Sequence, residues 1–158
     1  MALTPDTALE DNFSQAEDAL EGKLLVFATH GFEPAFDQPF TLPALLSSEG
    51  DDYSLFNTTS LFKYNFDGSI VLLSACDTAA GFVDRPDRMF TGFVKSFGDL
   101  GANLITASLW PVNSVASKQF TLGFVDGLAG GNIVDAMISA KDSVQVDNFA
   151  LPFVFIYP

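Results

Sequence analysis

The sequence predicts one α/β domain organised around a mainly parallel sheet, and three observations carry that prediction. Lys23–Thr29 (KLLVFAT) and Ser69–Ala75 (SIVLLSA) are short, nearly continuous apolar runs bounded by glycine or polar residues, the pattern of strands covered on both faces. Segments with apolar residues at every third or fourth position alternate with such runs, as helices alternate with strands in a parallel α/β sheet. The 158 residues, 48% hydrophobic and 17% charged, match a single domain of about 150 residues. They hold enough apolar material for a core and argue against disorder.

Taken in chain order, Thr4–Glu21 is acidic with Leu9, Phe13, Ala16 and Leu20 on one helical face, so residues 1–22 are expected to form an N-terminal helical segment capped by Thr4 or Asp6. Lys23–Thr29 is the first strand. Residues 32–68 are rich in Pro, Ser, Asp, Gly and Asn, with apolar pieces at Leu42–Leu46 and Leu61–Phe66. They read as a strand or hairpin, a mobile acidic loop through Ser47–Tyr53, and a short helix. Ser69–Ala75 is the second buried strand and Cys76–Arg88 a loop. Met89–Leu100 carries Phe90, Phe93, Val94, Phe97 and Leu100 at helical spacing and stops at Gly101. Asn103–Leu109 is a third strand; Ser114–Leu128 and Ile133–Val146 are helices, the second capped by Asn132. Phe153–Ile156 is a last strand, and Pro152 before it suits an edge position. The 17 phenylalanines are expected to fill the core.

Composition excludes several function classes. A net charge of −13 repels phosphate backbones and anionic membrane surfaces, so neither nucleic acid nor a membrane is expected as partner. One cysteine and one histidine supply neither an internal disulfide nor the ligands of a structural zinc site. Met1–Asp6 carries no basic segment ahead of an apolar run, and a cytoplasmic location is expected. The sequence contains no GxSxG elbow, no GxxxxGK[ST] phosphate loop and no GxGxxG. Gly127–Gly131 (GLAGG) fits a helix end, and Asp84, Asp87 and Asp99 lack metal-loop spacing. No metal or cofactor is expected.

The two rare residues share a location. His30 directly follows the first apolar strand and Cys76 the second, and in doubly wound sheets ligands bind beyond the carboxyl ends of strands. Adjacent parallel strands would bring imidazole and thiol to one rim, where the imidazole can accept the thiol proton or stabilise the thiolate nucleophile. Gly31, with no side chain, would offer its N–H beside that of Cys76 as an oxyanion hole. The alternative is an inert buried cysteine and an unrelated loop histidine.

Phe27–Gly31 (FATHG), Val71–Gly81 (VLLSACDTAAG), Gly92–Val112 (GFVKSFGDLGANLITASLWPV) and Asp135–Lys141 (DAMISAK) resemble, in order, the successive motifs of CHAT domains, caspase-like domains often found beside tetratricopeptide repeats. The resemblance runs from about Leu24 to Tyr157. It implies a caspase-like three-layer sandwich with a mainly parallel sheet flanked by helices, and a cysteine peptidase dyad with His30 as the histidine, Cys76 as the nucleophile and Gly31 as the oxyanion glycine. It further implies that Asp77, which follows the nucleophile, Trp110, and Asn113, which stands where many relatives carry Asp, border the substrate. Relatives place further strands before the histidine strand, so the chain is expected to be the C-terminal, catalytic portion of one CHAT domain lacking the N-terminal strands. The first strand then becomes a sheet edge, covered by the acidic N-terminal segment or by a repeat-domain or other protein partner.

Two functions follow as expectations. The first is a cysteine endopeptidase acting on protein or peptide substrates within a bacterial signalling or defence assembly. The second is a catalytically silent caspase-like module that docks a partner protein. The acidic chain and Asp77 favour a basic or neutral residue before the cut, whereas Arg85 and Arg88 in the following loop would favour an acidic one.

Overall fold

A computed structural model describes residues 20–32, 44–49, 52–74, 92–108, 112–144 and 153–157. Four strands form the central sheet: β1 (Leu24–Phe27), β5 (Ile70–Leu73), β6 (Leu104–Ser108) and β7 (Phe153–Ile156), in that spatial order. β1, β5 and β6 are parallel; β7 runs antiparallel at the far side of β6. β6 is buried at every position, which explains why its sequence, LITAS, shows no polar alternation. β7 begins at the predicted residue and, among the described strands, lies at the edge of the sheet, the position that a preceding proline suits.

Alternation along the strands feeds two cores, one on each face of the sheet. Leu25, Phe27, Val71, Leu73, Ile105 and Ala107 pack with α1 (Phe93–Asp99) and with Leu61 of a 3-10 helix (Thr58–Lys63). Phe97 organises this side, lying 5.0 Å from Phe66 edge-on and 5.4 Å from Phe27. On the opposite face Leu72, Leu104 and Phe153 pack with α2 (Ser114–Leu128) and α3 (Ile133–Asp142). Ala116, Phe120 and Phe124 repeat every fourth position along α2, and Phe120 stacks on Phe153 at 4.0 Å. The result is the expected three-layer arrangement, with a mainly parallel sheet between helices. α2 and α3 cross closely because Gly127 has no Cβ, an atom that would lie 2.7 Å from the Ala136 Cα.

The segment expected to be a mobile acidic loop is instead paired. β2 (Gly31–Phe32), β3 (Ala44–Glu49) and β4 (Asp52–Asn57) form a second, antiparallel sheet in the order β2-β3-β4. The β3–β4 pairing runs from Ala44 opposite Asn57 to Glu49 opposite Asp52. The polar composition suggested a loop, but Leu45 and Phe56 are cross-strand partners, both inserted into the core beneath α1. That apolar anchor outweighs the low strand propensity of the flanking residues.

Other boundaries shift by a few residues. The helix expected over Met89–Leu100 is described from Phe93, with Gly92 at its N-cap; the helix expected to reach Val146 ends at Asp142. The predicted caps hold: Asn132 accepts from the Val134 N–H at 2.9 Å, and Gly101, with φ +95°, follows α1 as its stop. Of the expected N-terminal helical segment only Leu20, Glu21 and Gly22 are described: Leu20 is buried in the core beneath α1, and Glu21-Gly22 form a turn, not a helix. Among the described residues β1 pairs with β5 alone, and its Val26 is 40% exposed.

Candidate active site

The C-terminal rim of the parallel sheet gathers the ends of β1, β5 and β6 and the start of α2. β1 and β5 pair in an unbroken register, Leu24 with Ile70 through Phe27 with Leu73, and the Ser74 N–H continues it by donating to the Phe27 carbonyl at 2.9 Å. Beyond Phe27 the chain leaves this sheet and enters the second one at Gly31. His30 therefore sits on the corner between the two sheets, exposed to solvent, with its carbonyl accepting from the Leu46 N–H at 2.9 Å.

The corner has specific hydrogen bonding. In an antiparallel ladder, opposed residues alternate between pairs that exchange two bonds and pairs that exchange none. Gly31 lies opposite Leu45, and the Leu46-to-His30 bond marks that pair as one of the second kind. The Gly31 N–H consequently points away from β3. Thr29 Oγ1 donates to the Leu46 carbonyl at 2.7 Å, so both backbone groups of Leu46 are held by the Thr29-His30 dipeptide.

The end of β5 is tied to the helical layer by hydroxyls. Ser74 Oγ is hydrogen-bonded to Ser117 Oγ and accepts from Thr121 Oγ1 at 3.2 Å. Ser117 and Thr121 are one helical turn apart, so the N-terminal part of α2 lies over the end of β5. Asn113 is the N-cap of α2, its side-chain oxygen accepting from the Val115 N–H at 2.8 Å. The positive end of the α2 dipole, with its first unpaired N–H groups, thus opens at this rim and favours negative charge there.

Of the residues singled out from the sequence, His30 and Gly31 lie together at the end of β1, and Asn113 lies at the start of α2 on the same rim. Asn113, expected at the substrate, uses its side-chain oxygen to cap the helix. Cys76, Asp77 and Trp110 lie outside the described residues; Ser74 is the last described residue before Cys76. Sequence reasoning missed Thr29, Leu46, Ser74, Ser117 and Thr121. Its only signal for them was hydroxyl residues at strand ends in ATHG and LLSAC, and at i, i+4 on the core side of α2.

Among the described residues, no group of three or more acidic, histidine or cysteine side chains is placed to hold a metal ion. A shallow acidic pocket, lined by Asp135, Ile138, Ser139, Asp142 and Ser143, runs along α3 and takes nothing from the strand ends. No helix of the described residues is long and apolar enough to cross a membrane. Compared with known proteins, residues 2–149 match the family model of the CHAT domain. No curated protein matches the chain.

Proposed function

Since the chain belongs to the CHAT domain family, whose fold is caspase-like, we propose that it is a cysteine endopeptidase in which Cys76 is the nucleophile and His30 its base. One observation carries the reading. β1 and β5 are neighbouring parallel strands paired through Phe27 opposite Leu73, and in the sequence His30 and Cys76 each stand three positions past that last pair. Neighbouring parallel strands are about 4.8 Å apart, so residues just past their ends start from one rim, and the reading requires imidazole and sulfur to meet there within about 3 Å or across one water.

In this mechanism the Cys76 sulfur forms a bond to the carbonyl carbon of the scissile peptide, and the thiol proton passes to the His30 imidazole. The resulting oxyanion accepts hydrogen bonds from the Gly31 and Cys76 N–H groups. Collapse of the tetrahedral intermediate breaks the C–N bond, and His30 gives its proton to the departing amine. Water, deprotonated by the same imidazole, then hydrolyses the thioester. The Gly31 N–H suits the oxyanion role because it is turned away from β3. Asp77 and Trp110 would border the substrate, and the α2 N-terminus, fixed by Asn113, favours the developing charge.

The test is cleavage of a peptide library by wild type, Cys76→Ala and His30→Ala, with labelling by a thiol-reactive activity probe. Cleavage and labelling that disappear in both variants are expected, with a basic or neutral residue before the cut. Cleavage mainly after Asp overturns that preference while leaving the dyad intact. No cleavage by the wild type, with probe labelling indifferent to His30, overturns the peptidase reading in favour of a silent module that docks a partner.

A further inference from the structure

We infer that Thr29 is the positioning residue of the proposed dyad, its hydroxyl standing in for a ladder hydrogen bond so that His30 and Gly31 are presented at the sheet corner. The inference deepens the peptidase reading and rests on it. In a continued β2–β3 ladder, His30 and Leu46 would exchange two bonds. The Leu46 N–H makes the first, to the His30 carbonyl at 2.9 Å. The second would run from the His30 N–H to the Leu46 carbonyl, but the bond that carbonyl accepts comes instead from Thr29 Oγ1 at 2.7 Å.

The substitution has a geometric result. A hydroxyl on the side chain of the preceding residue reaches the acceptor that the backbone N–H would have reached, so the backbone turns at Thr29 and does not run on as a strand. The bend ends β1 and starts β2, holding His30 between two fixed points, the Phe27–Ser74 ladder bond behind it and Leu46 beside it. Neither the His30 N–H nor the Gly31 N–H is then used on β3. The other side of the clasp is rigid, because Leu46 lies within β3 between the cross-strand pairs Leu45–Phe56 and Ser47–Ser54. Valine matches threonine in shape and β-branching but cannot donate. Thr29→Val therefore removes the clasp while keeping the strand propensity.

The single cysteine of the chain makes its alkylation an unambiguous report on the proposed pair. Iodoacetamide alkylation rates of the full chain are measured across pH for wild type, His30→Ala, Thr29→Val and Thr29→Ser, together with thermal midpoints. A free thiol titrates near 8.5, and pairing with imidazole lowers that value. We expect His30→Ala to shift the profile upward and Thr29→Val to follow it part of the way. Each unit of upward shift lowers the rate about tenfold at pH below the midpoint. Thr29→Ser, which restores the donor, should stay within about twofold of wild type.

A Thr29→Val profile equal to wild type while His30→Ala shifts overturns the inference and leaves the dyad standing. A profile indifferent to His30 overturns the dyad itself. A purely structural role predicts a lowered thermal midpoint with an unmoved pH profile. Should Thr29→Val not fold, Thr29→Ser decides: a shifted profile in that variant, despite its hydroxyl, overturns the inference.

Discussion

At the N-terminal end of the parallel sheet, three glycines with positive φ, Gly22, Gly68 and Gly101, close the turns. Backbone bonds join them to one another and to their neighbours: Gly22 N–H to the Asp67 carbonyl at 2.9 Å and Gly68 N–H to the Gly101 carbonyl at 3.0 Å. At the C-terminal end, side chains make the corresponding ties, with Thr29 clasping Leu46, Ser74 reaching Ser117 and Thr121, and Asn113 capping α2. Backbone closure resists change in geometry and is indifferent to most side chains. Closure by hydroxyls and an amide can be re-aimed by a single substitution. The fold is therefore anchored at one end of the sheet, and the proposed chemistry falls at the other.

The largest expected effect separates the two ends by activity. Cys76→Ala should reduce peptide cleavage by about four orders of magnitude or more while leaving the thermal midpoint near that of wild type, which steady-state kinetics and calorimetry check together. Gly101→Ala should do the reverse. Its Cβ would lie 2.9 Å from the Asp67 Cα at a φ of +95°, costing about 2–3 kcal/mol and roughly 5–10 °C in midpoint, with the alkylation profile of Cys76 unmoved. A Gly101→Ala protein as stable as wild type would show that the glycine end is not the anchor.

Ser74→Ala tests the hydroxyl end. It leaves Ser117 and Thr121 without their shared partner and should cost about 1–2 kcal/mol by urea unfolding, with a change in the alkylation profile that Gly101→Ala does not cause. If Ser74→Ala destabilised the protein as much as Gly101→Ala and left the profile alone, the two ends would be equivalent. The smallest effect is expected at Asn113. Its replacement by Ala should cost about 1 kcal/mol through loss of the α2 cap, and Asn113→Asp only a few tenths of that; unfolding midpoints of the three proteins decide it.

The same contrast explains what could be read from the sequence. β5 and β6 were legible because strands buried on both faces leave continuous apolar runs, β1 and β7 because their runs are apolar even where Val26 or the outer strand stays partly exposed, and Asn132 and Gly101 because caps are local. The corner at Thr29 was not, since its partner Leu46 lies 17 positions away, and Ser74 finds Thr121 at a distance of 47. No window of sequence contains both ends of such a bond. The β3–β4 hairpin fell between these cases. Its apolar piece at Leu42–Leu46 was a local signal, but the polar stretch that follows acquires its strand character from Leu45 meeting Phe56, and that meeting depends on the finished core.

The direction of β7 also has a consequence for how the chain assembles. β1, β5 and β6 follow one another during synthesis, whereas β7 joins β6 only after both α2 and α3 have been made. Until that late pairing, β6 carries an unprotected row of donors and acceptors along Ile105–Ser108, flanked by side chains meant for the interior. A nascent chain in that state is a template for any extended peptide nearby, so the slow, long-range closure by Phe153–Ile156 is the step at which folding competes with aggregation.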